Sequence, residues 1–227
     1  MGEQVTSLFG SSPRSHTSID EGGWLSLSGE PLADLNMACV FSGPTAGTRL
    51  NEYVDAVNRA EVPVIVILEE PSDELLSEAA RLGATHVGNI PIMLWQDGLI
   101  PERTRNGEAR IARDDAERTA AIEVMAEAFS LDRAICKVVM SPILESHNVA
   151  CWIYERDHAV VGAGIGIRSG DIVGVYSMAT QEHFQRTGIG KTILSSMMSN
   201  YLDEGVASFY RLYATNWGER LRIVVAG

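Results

Sequence analysis

With 227 residues, 45% of them apolar, the chain has enough material to bury one large core or two small ones and reads as a folded globular protein. Its 18 Lys and Arg stand against 30 Asp and Glu, a formal net charge of -12, which excludes the basic stripe that a nucleic-acid surface needs to displace counterions. No apolar run approaches the roughly twenty residues of a membrane span, and the polar start "MGEQVTSLFGSSPRSHTSIDEGG" is not an export signal, so a cytoplasmic protein with no membrane partner is expected.

Residues 1–22 are rich in Ser, Gly and Thr and are expected to be mobile. Segments 23–29 and 35–42 follow as a strand pair joined by a Glu30-Pro31 turn. "SGPTAG" breaks the pattern, and Leu50, Tyr53, Val54 and Val57 recur at helical spacing over 48–60. The continuous branched run "VPVIVIL" at 62–68 predicts a buried strand. A Pro, an acidic first turn and a closing Gly83 mark a helix over 71–83, and 85–95 is the next strand region.

A charged stretch holding Gly98, Pro101 and Gly107 reads as a linker over 96–108. The spacing of Ile122, Met125, Ala126 and Phe129 predicts a helix over 114–130. Residues 148–180 read as three strands, turning near Glu155–His158 and at Arg168–Asp171. A helix over 190–205 and a strand over 207–215 complete the pattern. Cys39, Cys136 and Cys151 are odd in number and unpaired in spacing, which argues for buried small hydrophobes and against a disulfide framework or a metal site.

The stretch "FQRTGIGKT" at 184–192 has three readings. A nucleotide loop, Gly-x-x-x-x-Gly-Lys-Ser/Thr, would need glycine at 185, which is Gln. A dinucleotide fingerprint begun by "GAGIG" at 162–166 would need glycine at 167, which is Ile, and a helix where a turn and a strand follow; those glycines instead allow a bulge or close backbone packing. The third reading takes a strand into Gln-x-x-Gly-x-Gly and straight into a helix, so that loop amides and the helix N-terminus converge on one anionic spot. Gly188 and Gly190 remove the Cβ atoms that would keep a pyrophosphate off the backbone, and Arg186 and Lys191 add charge at the rim.

At "QRTGIG" the sequence resembles the GNAT superfamily of N-acetyltransferases, whose signature is Gln/Arg-x-x-Gly-x-Gly/Ala between a strand and a helix; the resemblance extends over about 109–221. It implies an acetyl-CoA site and no metal. The thioester and pantetheine arm would lie on backbone groups of Met178 and Thr180. The pyrophosphate would lie on the loop Gln185, Arg186, Thr187, Gly188, Ile189 and Gly190 with Lys191 and Thr192, and Asn216 would contact the cofactor from the start of the last helix. The implied reaction moves an acetyl group to an amine of a small molecule or peptide by direct attack. The family commonly has a Tyr, just after a Leu of its last helix, that protonates the departing thiolate; here Arg222 follows Leu221, and Tyr176 and Tyr213 read as packing residues. Glu145, Glu182 and His183 read as surface residues, so no catalytic residue is assigned and a noncatalytic acyl-CoA-binding sensor or scaffold is the alternative.

A faint echo lies in the first half, where "NMACVFSGPTAGTRL" falls over "SMATQEHFQRTGIGK" at a constant offset that puts Arg49 over Gly190. The expected fold is therefore α/β (α+β), two GNAT-like lobes, each a mixed, mostly antiparallel sheet flanked by helices. Residues 23–95 would be a degenerate lobe that does not bind coenzyme A, and 109–227 an acetyl-CoA-binding lobe shortened at its end. The strand edge left by that shortening is expected to be covered by the first lobe or by a second subunit in a homodimer, or else the chain is a shortened version with impaired activity.

Overall fold

A computed structural model describes residues 10, 12, 14–89, 92–96, 108–206, 208–212 and 221–226. The chain divides into two compact units, 1–93 with 212–227, and 94–211. Each is built on a six-stranded sheet. No helix of the described residues is long and apolar enough to cross a membrane.

In the first unit the strands are β1 (His16–Asp20), β2 (Gly23–Leu27), β3 (Asn36–Val40), β4 (Val64–Glu69), β5 (Thr85–Asn89) and β12 (Leu221–Ala226), in the order β1-β2-β3-β4-β12-β5. Part of the stretch expected to be mobile, His16–Asp20, is the paired strand β1, while residues 1–9, 11 and 13 lie outside the described residues. A tight turn at Glu21-Gly22 folds His16–Asp20 back on β2, with the Asp20 carboxylate accepting from the Gly22 amide at 2.7 Å. The turn after β2 holds a short 3-10 segment, Ala33–Leu35, pinned by the fully buried Asn36. Its Oδ1 accepts from Ser28 N at 2.9 Å while its Nδ2 donates to the carbonyls of Glu30 and Leu32, both at 2.8 Å.

Helix α1 (Ala46–Ala60) forms where the apolar spacing predicts it, and lays Leu50, Tyr53, Val54 and Val57 against Leu25, Val40, Val66 and Leu68 of the sheet. Helix α2 (Asp73–Arg81) starts at Ser72, whose hydroxyl accepts from Leu75 N. The region expected as one strand over 85–95 is two, β5 and β6 (Ile92–Gln96), and they belong to different sheets. β12 runs antiparallel to both β4 and β5, with Leu221 opposite Glu69 and Ala226 opposite Val64. The boundaries drawn at 95 and 109 therefore differ from the compact units, because hydrogen-bonded pairing gathers strands distant in sequence.

The second sheet has the order β6-β11-β10-β9-β8-β7, formed with β7 (Ala109–Ile111), β8 (Val149–Arg156), β9 (Ala159–Ser169), β10 (Ile172–Thr180) and β11 (Ser208–Leu212). β6 lies beside β11, the position where the sequence left an open edge. Helix α3 (Asp115–Ala128) is capped by Asp114, and helix α4 (Arg133–Leu144), which the strand-by-strand reading passed over, is capped by Asp132. Its signal is Cys136, Val139, Met140 and Ile143 at helical spacing, masked by Pro142 in the last turn. Helix α5 (Ile189–Asp203) covers the sheet through Ile189, Ile193, Met197 and Tyr201. The glycines of "GAGIG" face it: a Cβ on Gly162 would lie 2.5 Å from Ile189 Cγ2, and one on Gly166 would lie 2.9 Å from the Tyr201 ring. Bare backbone on alternate residues of β9 lets α5 sit directly on the strand.

Candidate functional site

The site begins at the bulged end of β10. The parallel ladder joins Ile172–Val175 to Ser208–Arg211, and β10 extends to Thr180. On its other side the register with β9 shifts: Tyr176 faces Ile165 and Ala179 faces Ala163, so Ser177 and Met178 share Gly164. Ser177 takes φ 47°, a left-handed conformation that marks the bulge.

Past Thr180 a 3-10 turn, Glu182–Phe184, leads into the loop. Gln185 turns back so that its Nε2 donates to Thr180 O at 3.3 Å, which ties the loop to the strand end. Thr187 Oγ1 donates to Phe184 O at 2.6 Å, Arg186 holds φ 60°, and Gly188, at φ 92°, is the N-cap of α5. Glycine is favoured there because a Cβ resists positive φ.

No side chain caps α5, in contrast to α2, α3 and α4. Its first amide with a backbone acceptor is that of Thr192, donating to Gly188 O at 2.9 Å; among the described residues the amides from Arg186 to Lys191 have none. A Cβ on Gly190 would meet nothing within 4 Å, so the space beside these amides is open. Arg186 and Lys191 are exposed and have no ion-pair partner among the described residues. Open amides, a helix N-terminus and free cations on one loop make an anion cradle that continues from the end of β10.

Two of the loop's side chains serve the fold rather than the cradle. Ile189 is buried against Gly162, and the buried Thr192 hydroxyl donates to Gly188 O at 3.1 Å. Asn216 and Tyr213 lie outside the described residues. Tyr176 is buried, with its ring folded over Gly174, while Glu145, Glu182 and His183 are exposed. Two neighbours escaped sequence reasoning. Arg156 stacks over the Phe184 ring at 5.4 Å, and Gly164 carries Met178; the alternating glycines signalled the second, and nothing local signalled the first.

The corresponding place in the first unit is built differently. β3 stays paired with β4 through Val40, its last residue, so no strand edge opens. Gly47 and Gly190 are each the second residue of their helix, and the Arg49 guanidinium reaches Asp20 at 3.1 Å. A cavity of about 500 Å³ there is lined by Gly43, Gly47, Ser72 and the carboxylates of Glu70, Glu74 and Glu78. Hydrogen bonds from Arg81 and Asn51 pull the Glu78 carboxyl down to about 2, so the cavity carries negative charge at neutral pH.

A known family has this strand, loop and helix arrangement: the sequence profile described as "Acetyltransferase (GNAT) domain" matches residues 102–217, just over half of the chain. The chain belongs to the GNAT acetyltransferase family. The GNAT fold extends to solved structures at low identity. A GCN5-related N-acetyltransferase from Kribbella flavida matches with TM-score 0.68 at 16% identity, over 98% of this chain and 91% of that one. One from Sphaerobacter thermophilus matches with TM-score 0.63 at 14% identity, over 90% and 76%. A tandem GNAT protein from the clavulanic acid biosynthesis pathway matches with TM-score 0.56 at 12% identity, over 95% and 84%. At these identities the likeness shows the GNAT fold alone. Among curated proteins no sequence matches.

Proposed function

We propose that this GNAT protein moves the acetyl group of acetyl-CoA to an amine of a small molecule or peptide, by direct attack, in its second unit. The observation that carries the reading is a strand that bulges at Ser177 and runs into open amides at an uncapped helix start. A long ligand with an amide-bearing arm and a diphosphate fits that sequence of surfaces. Backbone groups of Met178 and Thr180 take the thioester and the arm. The amides from Arg186 to Gly190, with the Lys191 and Arg186 side chains at the rim, take the diphosphate, while the amide of Gln185, expected from the sequence to join them, is already bonded to Glu182 O at 3.1 Å; Asn216 is proposed as a further contact.

Acetyl-CoA supplies an activated thioester. The chain supplies position: holding amine and thioester together is worth several orders of magnitude in rate without an elaborate catalytic set. The Met178 amide donates to the carbonyl oxygen as charge develops on it. An alkylamine is mostly protonated at neutral pH, so its proton passes to a carboxylate or an ordered water before attack. The two units are read as tandem GNAT-like lobes of which only the second binds the cofactor.

The test is calorimetric titration with acetyl-CoA followed by a CoA-release assay over a panel of amines. Binding with turnover on at least one amine is expected, with affinity lowered roughly fivefold in each of Arg186→Ala and Lys191→Ala, since each removes one exposed charge at a helix start. Absence of acetyl-CoA binding would overturn the reading. Binding without turnover on any amine selects the noncatalytic acyl-CoA-binding protein instead.

A further inference from the structure

The bulge in β10 has a partner on the neighbouring strand that linear spacing hides. Ser177 and Met178 together face Gly164, and Ser177 holds a positive φ that a residue with a Cβ resists. Such a bulge persists only where the surroundings hold it. The hold is visible in the packing. A Cβ built on Gly164 would lie 2.4 Å from Met178 Sδ and 3.7 Å from its Cε, so the thioether occupies the place where another residue's side chain would begin. Ile193 of α5 closes the seat at 3.3 Å from the same point. Gly162 and Gly166 receive side chains from α5; only the middle glycine receives one from β10.

We propose that Gly164 is a positioning residue for acyl transfer: lacking a Cβ, it seats Met178, and the seated Met178 holds the Ser177–Met178 bulge whose amide meets the acyl carbonyl. This rests on the acetyl-CoA reading above. Alanine at 164 expels the thioether, because the end of a flexible side chain moves more easily than the backbone of a central strand. Ser177 then relaxes and the register of β10 straightens. The effect falls on the acyl group rather than on the phosphates, since the loop has its own anchors in the Gln185 bond to Thr180 and the turn at Gly188.

Calorimetric titration of the full chain with acetyl-CoA and separately with CoA tests this in the natural sequence, Gly164→Ala, Met178→Ala and the double variant. The natural sequence is expected to prefer acetyl-CoA by roughly fivefold, about the worth of one hydrogen bond. Each variant should lose that preference, read as the ratio of the two affinities, and the double variant should lose no more of it than either single one, because both changes undo the same contact. A merely structural role would lower the melting temperature and leave the preference intact. Preference retained in the single variants, additive losses in the double, or no preference in the natural sequence overturns the positioning role. Failure of the natural sequence to bind either ligand overturns the acetyl-CoA reading as well. Should Gly164→Ala not fold by circular dichroism, Met178→Ala leaves a gap rather than a clash and carries the same ratio test.

Discussion

Cys39, Cys136 and Cys151 are all free and buried. Loss of solvent, with Glu69 nearby adding repulsion at Cys39, pushes the Cys39 and Cys151 thiols up to about 12, and burial raises that of Cys136. A thiol so raised supplies almost no thiolate at neutral pH. The expected outcome is no labelling of the native chain by a thiol reagent at pH 7, and labelling of all three positions once it is unfolded; rapid native labelling would show that the packing around these residues opens. Gly190 makes the opposite case, a residue whose missing side chain leaves space empty. Gly190→Arg should leave the circular dichroism and melting temperature unchanged and abolish acetyl-CoA binding, because a long side chain then stands where phosphate must touch backbone. Undiminished binding in the folded variant would move the phosphates off this loop.

Elements are fastened by few residues, and two fastenings can be tested. Edge strand β7 is tied to α3 by Arg110, which donates to both oxygens of Glu117 at 2.6 and 2.8 Å and also pairs with Glu155 of β8. Arg110, together with the Arg113 amide, pulls the Glu117 carboxyl down to about 2. A carboxylate depressed in the folded state adds stability that is present above its unfolded value near 4.3 and lost as pH falls through the folded value. The difference in urea midpoint between the natural sequence and Glu117→Gln should therefore be largest at neutral pH and shrink as pH falls from about 4.5 toward about 2. A difference constant across that window would remove the ion pair from the account. The second fastening is β12, whose Val224 lies opposite Val66 on one side and His86 on the other. Proline there removes a ladder donor from an interior strand, and Val224→Pro should lower the urea midpoint and destabilise the chain by at least the about 1–3 kcal/mol of a buried polar group left unpaired. A variant as stable as the natural sequence would place Leu221–Ala226 outside the first sheet.

For the whole molecule the decisive number is how many cofactors one chain takes. The first unit repeats the strand, loop and helix order, yet β3 stays zipped to β4 and the cavity at the start of α1 is lined by carboxylates. Negative charge opposes a diphosphate and a closed strand pair offers no edge to an amide-bearing arm. One acetyl-CoA per chain is expected by titration, and still one when Glu70, Glu74 and Glu78 are all changed to Gln, because removing charge does not part the strands. Two equivalents in either protein would show that the first unit also binds.

The loop over 185–191, the three-strand meander and the helices with clear apolar stripes were legible in the sequence, because each is specified by residues near one another: glycine where φ is positive, branched residues on strands, Asp or Ser before a helix. The family followed from the same local signal, since the signature and its placement between strand and helix are contiguous. What lay beyond reach were the features set by partners distant in the chain. β12 pairs with β4 across more than a hundred and fifty positions, β6 closes the edge beside β11, and Arg49 of α1 pairs with Asp20 of β1. The bulge at Ser177 belongs to the same class, for nothing in "VYSMAT" requires it until Gly164 of another strand leaves room for Met178. Local chemistry chooses the elements and the glycine loop; hydrogen-bonded pairing and close packing between remote segments choose the register.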